Sequence, residues 1–271
     1  MPHIAPAPPP LPPRPARGTL KLPGVRQVEL TAPLTWLALG WRDVWRIGLP
    51  SLMHGVVLAA FGALLVLIAR DRFWLLAGAF SGFLVVAPVL ATSLYALSRA
   101  LERGEPTGWR TIGQTWTRWQ YSRFAVHGGY WSLVRFGLLL SLAGTGWVLT
   151  SAALITVLAP GGYLFELWLT MGALMAAPLF ASSVVSMPLL LDRRVDVLQA
   201  VLTSWQTVLT NPGALALWAA LIMALTGLGM LTALLGLIVV VPWLGHASWH
   251  AYRALVDASS LPERLPPEGQ R

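Results

Sequence analysis

The chain has 271 residues, of which 56% are hydrophobic and only 11% charged, against roughly half and a quarter in soluble domains, so an ordinary water-facing globule is excluded. A formal charge of +8 would suit nucleic acid in a soluble protein, but in so apolar a chain it fits basic loops beside anionic lipid, and no nucleic-acid partner is expected. The absence of Cys removes disulfides, thiolate metal sites and Cys nucleophiles.

Residues 1–27, Pro-rich and basic through Arg14, Arg17, Lys21 and Arg26, read as a disordered cytoplasmic tail. The first long apolar run begins near Pro50, too late for a cleavable signal peptide, so an uncleaved anchor is expected. A helix crossing the hydrocarbon needs about 20 mostly apolar residues. On that rule residues 28–257 form a membrane domain with spans near 50–69, 73–97, 136–158, 165–191, 213–235 and 237–256. The last two come from one apolar region, Gly213 to Val256, too long for a single crossing and divided near Gly236. Residues 258–271 form a second short tail.

Of the nineteen Lys and Arg, all but Arg70 and Arg72 fall in alternate gaps between these spans. Positive charge marks the cytoplasmic side, so both termini are expected inside a bacterial inner membrane. The same rule favours six spans over five, because a single final crossing would move Arg253 and the C-terminus outside.

A short amphipathic stretch precedes each pair of spans. Leu34, Leu37, Trp41, Val44 and Gly48 share a face in the first, Trp109, Ile112, Trp116 and Trp119 in the second, and Leu198, Val201, Leu202, Trp205 and Leu209 in the third. Thr31, Thr107 and Asp196 stand where N-caps belong. The predicted fold is therefore an all-α membrane protein of six transmembrane helices as three hairpins, each preceded by a short interfacial helix. The second arm of each hairpin carries a proline, Pro88, Pro178 or Pro242, which leaves a carbonyl without its helical donor. Thr92, Ser93, Ser182 and Ser183 are near enough to compensate.

Candidate chemistry is sparse. His246 and His250, at i and i+4, present two rings to one helix face, and His54 lies at similar depth in the first span, so a three-His metal or haem site is geometrically open. Interfacial hydrogen bonding of the same rings is the competing reading. Acidic residues Asp43, Glu102, Glu105, Asp192 and Asp196 sit beside Arg42, Arg46, Arg99, Arg103, Arg193 and Arg194, which predicts mutual pairing at the interface. No phosphate loop, nucleophile elbow or midplane ionisable group is present, so no catalytic residue is assigned.

The runs WLALGWRDVWRIGLPSLMHG (Trp36–Gly55), LYALSRALERGEP (Leu94–Pro106) and VVVPWLGHASWHAYRALV (Val239–Val256) together resemble a family of predicted bacterial integral membrane proteins catalogued as domain of unknown function 2189. The resemblance runs from about Val28 to Val256 and implies a multi-span membrane protein without an established activity, cofactor or site. The expectation is a non-enzymatic scaffold, accessory subunit or assembly partner of a membrane complex, in contact with the lipid bilayer and with a membrane-protein partner or a second copy. The alternatives are a haem- or metal-handling factor using His246, His250 and His54, and a small-solute transporter.

Overall fold

The computed structural model describes residues 22–69, 91–121 and 177–263. Within them lie helices α1 (Ala32–Ile47), α2 (Leu49–Ala69), α3 (Trp109–Tyr121), α4 (Ser186–Asp192), α5 (Val197–Thr210), α6 (Pro212–Leu231) and α7 (Leu237–Leu255), with further helical turns at 91–102 and 177–183. Two-residue strands β1 (Gly24–Val25) and β2 (Val256–Asp257) pair antiparallel, Gly24 opposite Asp257.

Two abrupt joints shape the chain. Helix α1 ends at Gly48, whose φ of 71° is open to glycine without strain, and α2 begins at the next residue. Helix α5 likewise ends at Asn211, and Pro212 opens α6 in a first-turn position where no helical N–H is needed. Asn211 also pins the N-terminal segment: its Oδ1 accepts from the Val28 amide at 2.9 Å and its Nδ2 donates to the Arg26 carbonyl at 3.0 Å.

Helix α7 is the centre of the fold, packed against α1, α2, α4 and α6. Glycines let backbones approach it closely. A Cβ on Gly40 of α1 would lie 2.6 Å from the Ala247 amide nitrogen, and one on Gly245 would lie 2.5 Å from Leu94 Cδ1. Gly55 of α2 packs on the Ile238 carbonyl, the carbonyl that Pro242 leaves without a helical donor. Trp36 and Trp218, both nearly sealed from solvent, meet edge to face at 5.7 Å beside this core.

The expectation of six transmembrane helices in three hairpins is corrected. Among the described residues two helices are long and apolar enough to cross a membrane, Leu49–Leu67 and Pro212–Leu231. They match the expected spans 50–69 and 213–235, and only 22% of each is buried, unlike the core helix of a soluble protein. The chain does turn back after α6, through Ala233 and Leu234 at positive φ, with Thr232 Oγ1 accepting from the Gly236 amide at 2.7 Å. The returning helix α7 is not a further candidate span, because its second half carries His246, Ser248, His250, Tyr252 and Arg253 and serves as protein core. The expected span 165–191 is broken in its described part: turn residues 184–185 separate 177–183 from α4, where Pro188 has no N–H to continue the ladder. Residues 73–90 and the span at 136–158 lie outside the described residues.

The amphipathic stretches are helices, and the face expected of α1 is split between core and surface while that of α5 is found as a single outward face. Helix α1 buries Trp36, Leu37, Gly40, Asp43, Val44 and Ile47, leaving Leu34 and Trp41 exposed. In helix α5 Ala200, Thr203, Ser204 and Thr207 face inward, while Leu198, Leu202, Trp205 and Leu209 of the expected apolar face turn out, Leu209 at 74% exposure. The inward hydroxyls are satisfied locally, Thr203 on the Gln199 carbonyl and Thr207 on the Thr203 carbonyl, both at 2.7 Å, so a flat, small face packs without orphaned polar groups. Thr31 and Asp196 do precede α1 and α5, but neither side chain makes a cap hydrogen bond.

Candidate functional site

Four elements bring polar side chains to one line beside α7. Asp43 comes from the inner stripe of α1, Ser51 from the first turn of α2, Ser98 from the 91–102 helix, and His246 and His250 from α7 itself. His246 and Ser51 are fully buried, Ser98 is 1% and Asp43 3% exposed. Ser98 Oγ donates to Asp43 Oδ2 at 2.9 Å, and His250 Nε2 donates to the same oxygen at 2.8 Å. His246 sits between two serines, with Ser98 Oγ 2.7 Å from Nδ1 and Ser51 Oγ 2.7 Å from Nε2.

The hydrogen positions follow from donor arithmetic. Ser98 has one hydroxyl hydrogen and gives it to a carboxylate, so toward His246 it accepts, and Nδ1 carries the ring proton. Burial favours the uncharged ring. Nε2 is then bare, and the Ser51 hydroxyl donates to it. The chain therefore reads Ser51, His246, Ser98, Asp43, each member donating a hydrogen bond to the next. Such an order can polarise the Ser51 hydroxyl, yet Ser51 is sealed from solvent. A groove of about 490 Å³ lined by Thr31, Thr35, Trp36, Arg253 and His250 meets only the outer end of the line.

Of the residues singled out from sequence, His246, His250 and His54 are brought into one neighbourhood, His54 and His250 both lying within electrostatic range of His246. Each ring has a protein partner, His54 through Nδ1 on the Pro50 carbonyl at 2.9 Å. Among the described residues there is no group of three or more His, Cys, Asp or Glu able to hold a metal ion. Asp43, expected to pair with Arg42 or Arg46 at the interface, is instead the buried acceptor of this chain. Ser51 and Ser98 were not singled out at all. The readable signal was Asp43 itself, a carboxylate in the stripe Trp36, Gly40, Asp43, Ile47.

A second polar cluster lies beside the last turns of α7. Asp192, 2% exposed, meets Arg99 Nε at 3.0 Å, Arg103 Nη2 at 3.4 Å and Arg193 Nε at 2.9 Å, and accepts from the Tyr252 hydroxyl at 2.9 Å. Pairing of Asp192 with Arg193 agrees with the sequence expectation, whereas Glu102 turns to α7, accepting from Trp249 Nε1 at 3.0 Å and Arg253 Nε at 2.9 Å. Burial lowers the Arg99 pKa from its usual value, opposed by the charge of Asp192. The Arg193 pKa is raised, because its desolvation is outweighed by the charge and hydrogen bond of Asp192.

With that geometry in hand, one family comparison bears on the chain. Residues 75–164 match the family described as "Predicted integral membrane protein (DUF2189)". The matched stretch is about a third of the chain and contains Leu94–Pro106, and with it Ser98, Arg99 and Arg103. The likeness read at Trp36–Gly55 and Val239–Val256 falls outside it. No curated protein and no solved structure matches. The family description and the two exposed apolar helices agree on a membrane location.

Proposed function

We propose that this chain is a non-enzymatic protein of the bacterial inner membrane, with both termini cytoplasmic, acting as a scaffold, accessory subunit or assembly partner of a membrane complex. The outward apolar face of α5 carries this reading. A helix that turns Leu198, Leu202, Trp205 and Leu209 outward and its threonines inward has its apolar face reserved for lipid or for another apolar surface. The adjoining span α6 offers Met223, Leu228 and Leu231 in the same way. The groups best suited to chemistry, Asp43, Ser51, Ser98 and His246, are meanwhile bonded to one another inside the fold.

The experiment is isolation of the full chain from native membranes in mild detergent, beside a variant carrying Leu202→Ser and Leu209→Ser. The expected result is a partner, or a second copy, in fixed stoichiometry with the wild type and reduced at least about tenfold with the variant. A monodisperse lone chain in both detergent and nanodiscs removes the reading. Stoichiometric uptake of haem or a divalent metal that is lost in His246→Ala, or solute flux above empty vesicles, replaces it with one of the alternatives.

A further inference from the structure

The cluster around Asp192 is built unlike an ordinary structural ion pair. One buried carboxylate holds three guanidinium groups convergent, with Arg99 and Arg103 one helical turn apart and Arg193 following Asp192 directly in the chain. Asp192 is tied from four directions, counting Tyr252, so it fixes the arginines but cannot neutralise them. The remaining charge is met from outside by Glu263, which bridges the rim: Oε2 lies 3.2 Å from Arg103 Nη2 and Oε1 lies 3.3 Å from Arg193 Nη2. Glu105 adds a more distant negative charge near Arg99.

Glu263 is delivered by a short latch. The Arg194 amide donates to the Pro262 carbonyl at 3.0 Å, Arg193 Nη1 donates to the Leu261 carbonyl at 3.0 Å, and Arg193 and Glu263 form an isolated antiparallel bridge. The glutamate is 43% exposed, whereas Arg193 beneath it is 10% exposed. A half-exposed carboxylate making one long contact to each of two arginines gains little from its place. An anion with more charge and three acceptor oxygens gains more from the same two forks.

We propose that the guanidinium cluster of Arg99, Arg103 and Arg193 is a binding site for a phosphoryl group, held closed in cis by the Glu263 carboxylate, which occupies the position of the anion. The ligand is a phosphate monoester, free or as a lipid headgroup, and entry requires the 259–263 segment to swing away. The site stands apart from the accessory reading and holds whether or not that reading does.

The test uses the full chain in a neutral maltoside detergent at low salt, titrated calorimetrically with inorganic phosphate, and the same chain in nanodiscs of phosphatidylcholine with or without phosphatidic acid. Glu263→Gln opens the site by removing the competing charge. It is expected to tighten binding about tenfold over wild type, and Arg103→Gln added to it is expected to abolish the gain. Glu29→Gln, an equal charge change on a different surface, is the control and should gain nothing. A gain with dissolved phosphate identifies a soluble ligand, and a gain confined to phosphatidic acid nanodiscs identifies the headgroup; both support the site. Equal binding by wild type and Glu263→Gln in every arm overturns it. So does a gain that survives Arg103→Gln or is matched by Glu29→Gln. Folding of each variant is checked by circular dichroism, and if Arg103→Gln fails that check, Arg103→Lys serves in its place, expected to lose most of the gain because it lacks the fork.

Discussion

Two polar clusters flank the same helix and solve the cost of burying polarity in opposite ways. The His246 chain has one carboxylate, short bonds of 2.7 to 2.9 Å and every member sealed inside except His250 at its outer end. The Asp192 cluster has one carboxylate under three cations, contacts out to 3.4 Å and a rim open to solvent at Glu263. A closed chain with each hydrogen assigned specifies register: moving α7 by one residue breaks its bonds to Ser51, Ser98 and Asp43 together. A surplus of one sign held by a removable tail tolerates displacement. The first region is built to keep α7 where it is, the second to let an edge move.

The largest expected effect comes from breaking the closed chain at its middle. His246→Ala strips a partner from both Ser51 and Ser98 and leaves a cavity, and is expected to cost about 4 kcal/mol, read as loss of thermal stability in detergent. The contrast sharpens with two serines of equal size. Ser98→Ala orphans both an Asp43 bond and the Nδ1–H of His246, for about 2 kcal/mol, whereas Ser51→Ala orphans only the Nε2 acceptor, for about 1 kcal/mol. Equal losses would mean that the proton assignment on His246 is reversed or that the chain is not continuous. The open cluster should behave otherwise. Glu263→Gln is expected to shift stability by under about 0.5 kcal/mol. Raising salt from about 0.05 to 0.5 M should speed amide exchange in residues 259–263 and leave that of the His246 turn unchanged, since only the exposed pairs are screened.

The sequence made some of this legible. Apolar length located α2 and the start of α6 to within a residue and overran the end of α6 at Leu231 by four, because a long, uncharged run leaves a helix little else to do. The same reasoning failed for α7, where length and hydrophobicity alone do not distinguish a lipid-facing helix from a core one; Gly245, packed on Leu94, and His246 on two serines decide it. The direction in which α5 turns its apolar face was illegible for a related cause. Periodicity finds an apolar face but cannot say whether water or lipid is its solvent, so Leu198 and Leu209 were grouped correctly and their direction was not fixed. The histidines stood out by type, but their partners Ser51, Ser98 and Asp43 come from three other elements, and a hydroxyl carries no spacing signal of its own.

The smallest effect separates the two regions from a third joint, the pairing of β1 with β2. Asp257 is exposed, and its carboxyl is held below the usual carboxylate range chiefly by hydrogen bonds from Ser259, side chain and backbone, with the charge of Arg26, 3.4 Å away, adding to them. A group whose folded value lies below its unfolded one stabilises fully above the unfolded value and loses that contribution as pH falls through the folded value. Acidification should therefore loosen this joint first at its edge, seen as faster exchange of the Arg26 amide, which donates to the Leu255 carbonyl at 2.8 Å. Asp257→Asn lacks the charge and should show the faster exchange already at neutral pH, with no further acid-dependent step. If wild type and Asp257→Asn share the same acid step, after correction for the intrinsic exchange rate, the carboxylate responsible lies elsewhere.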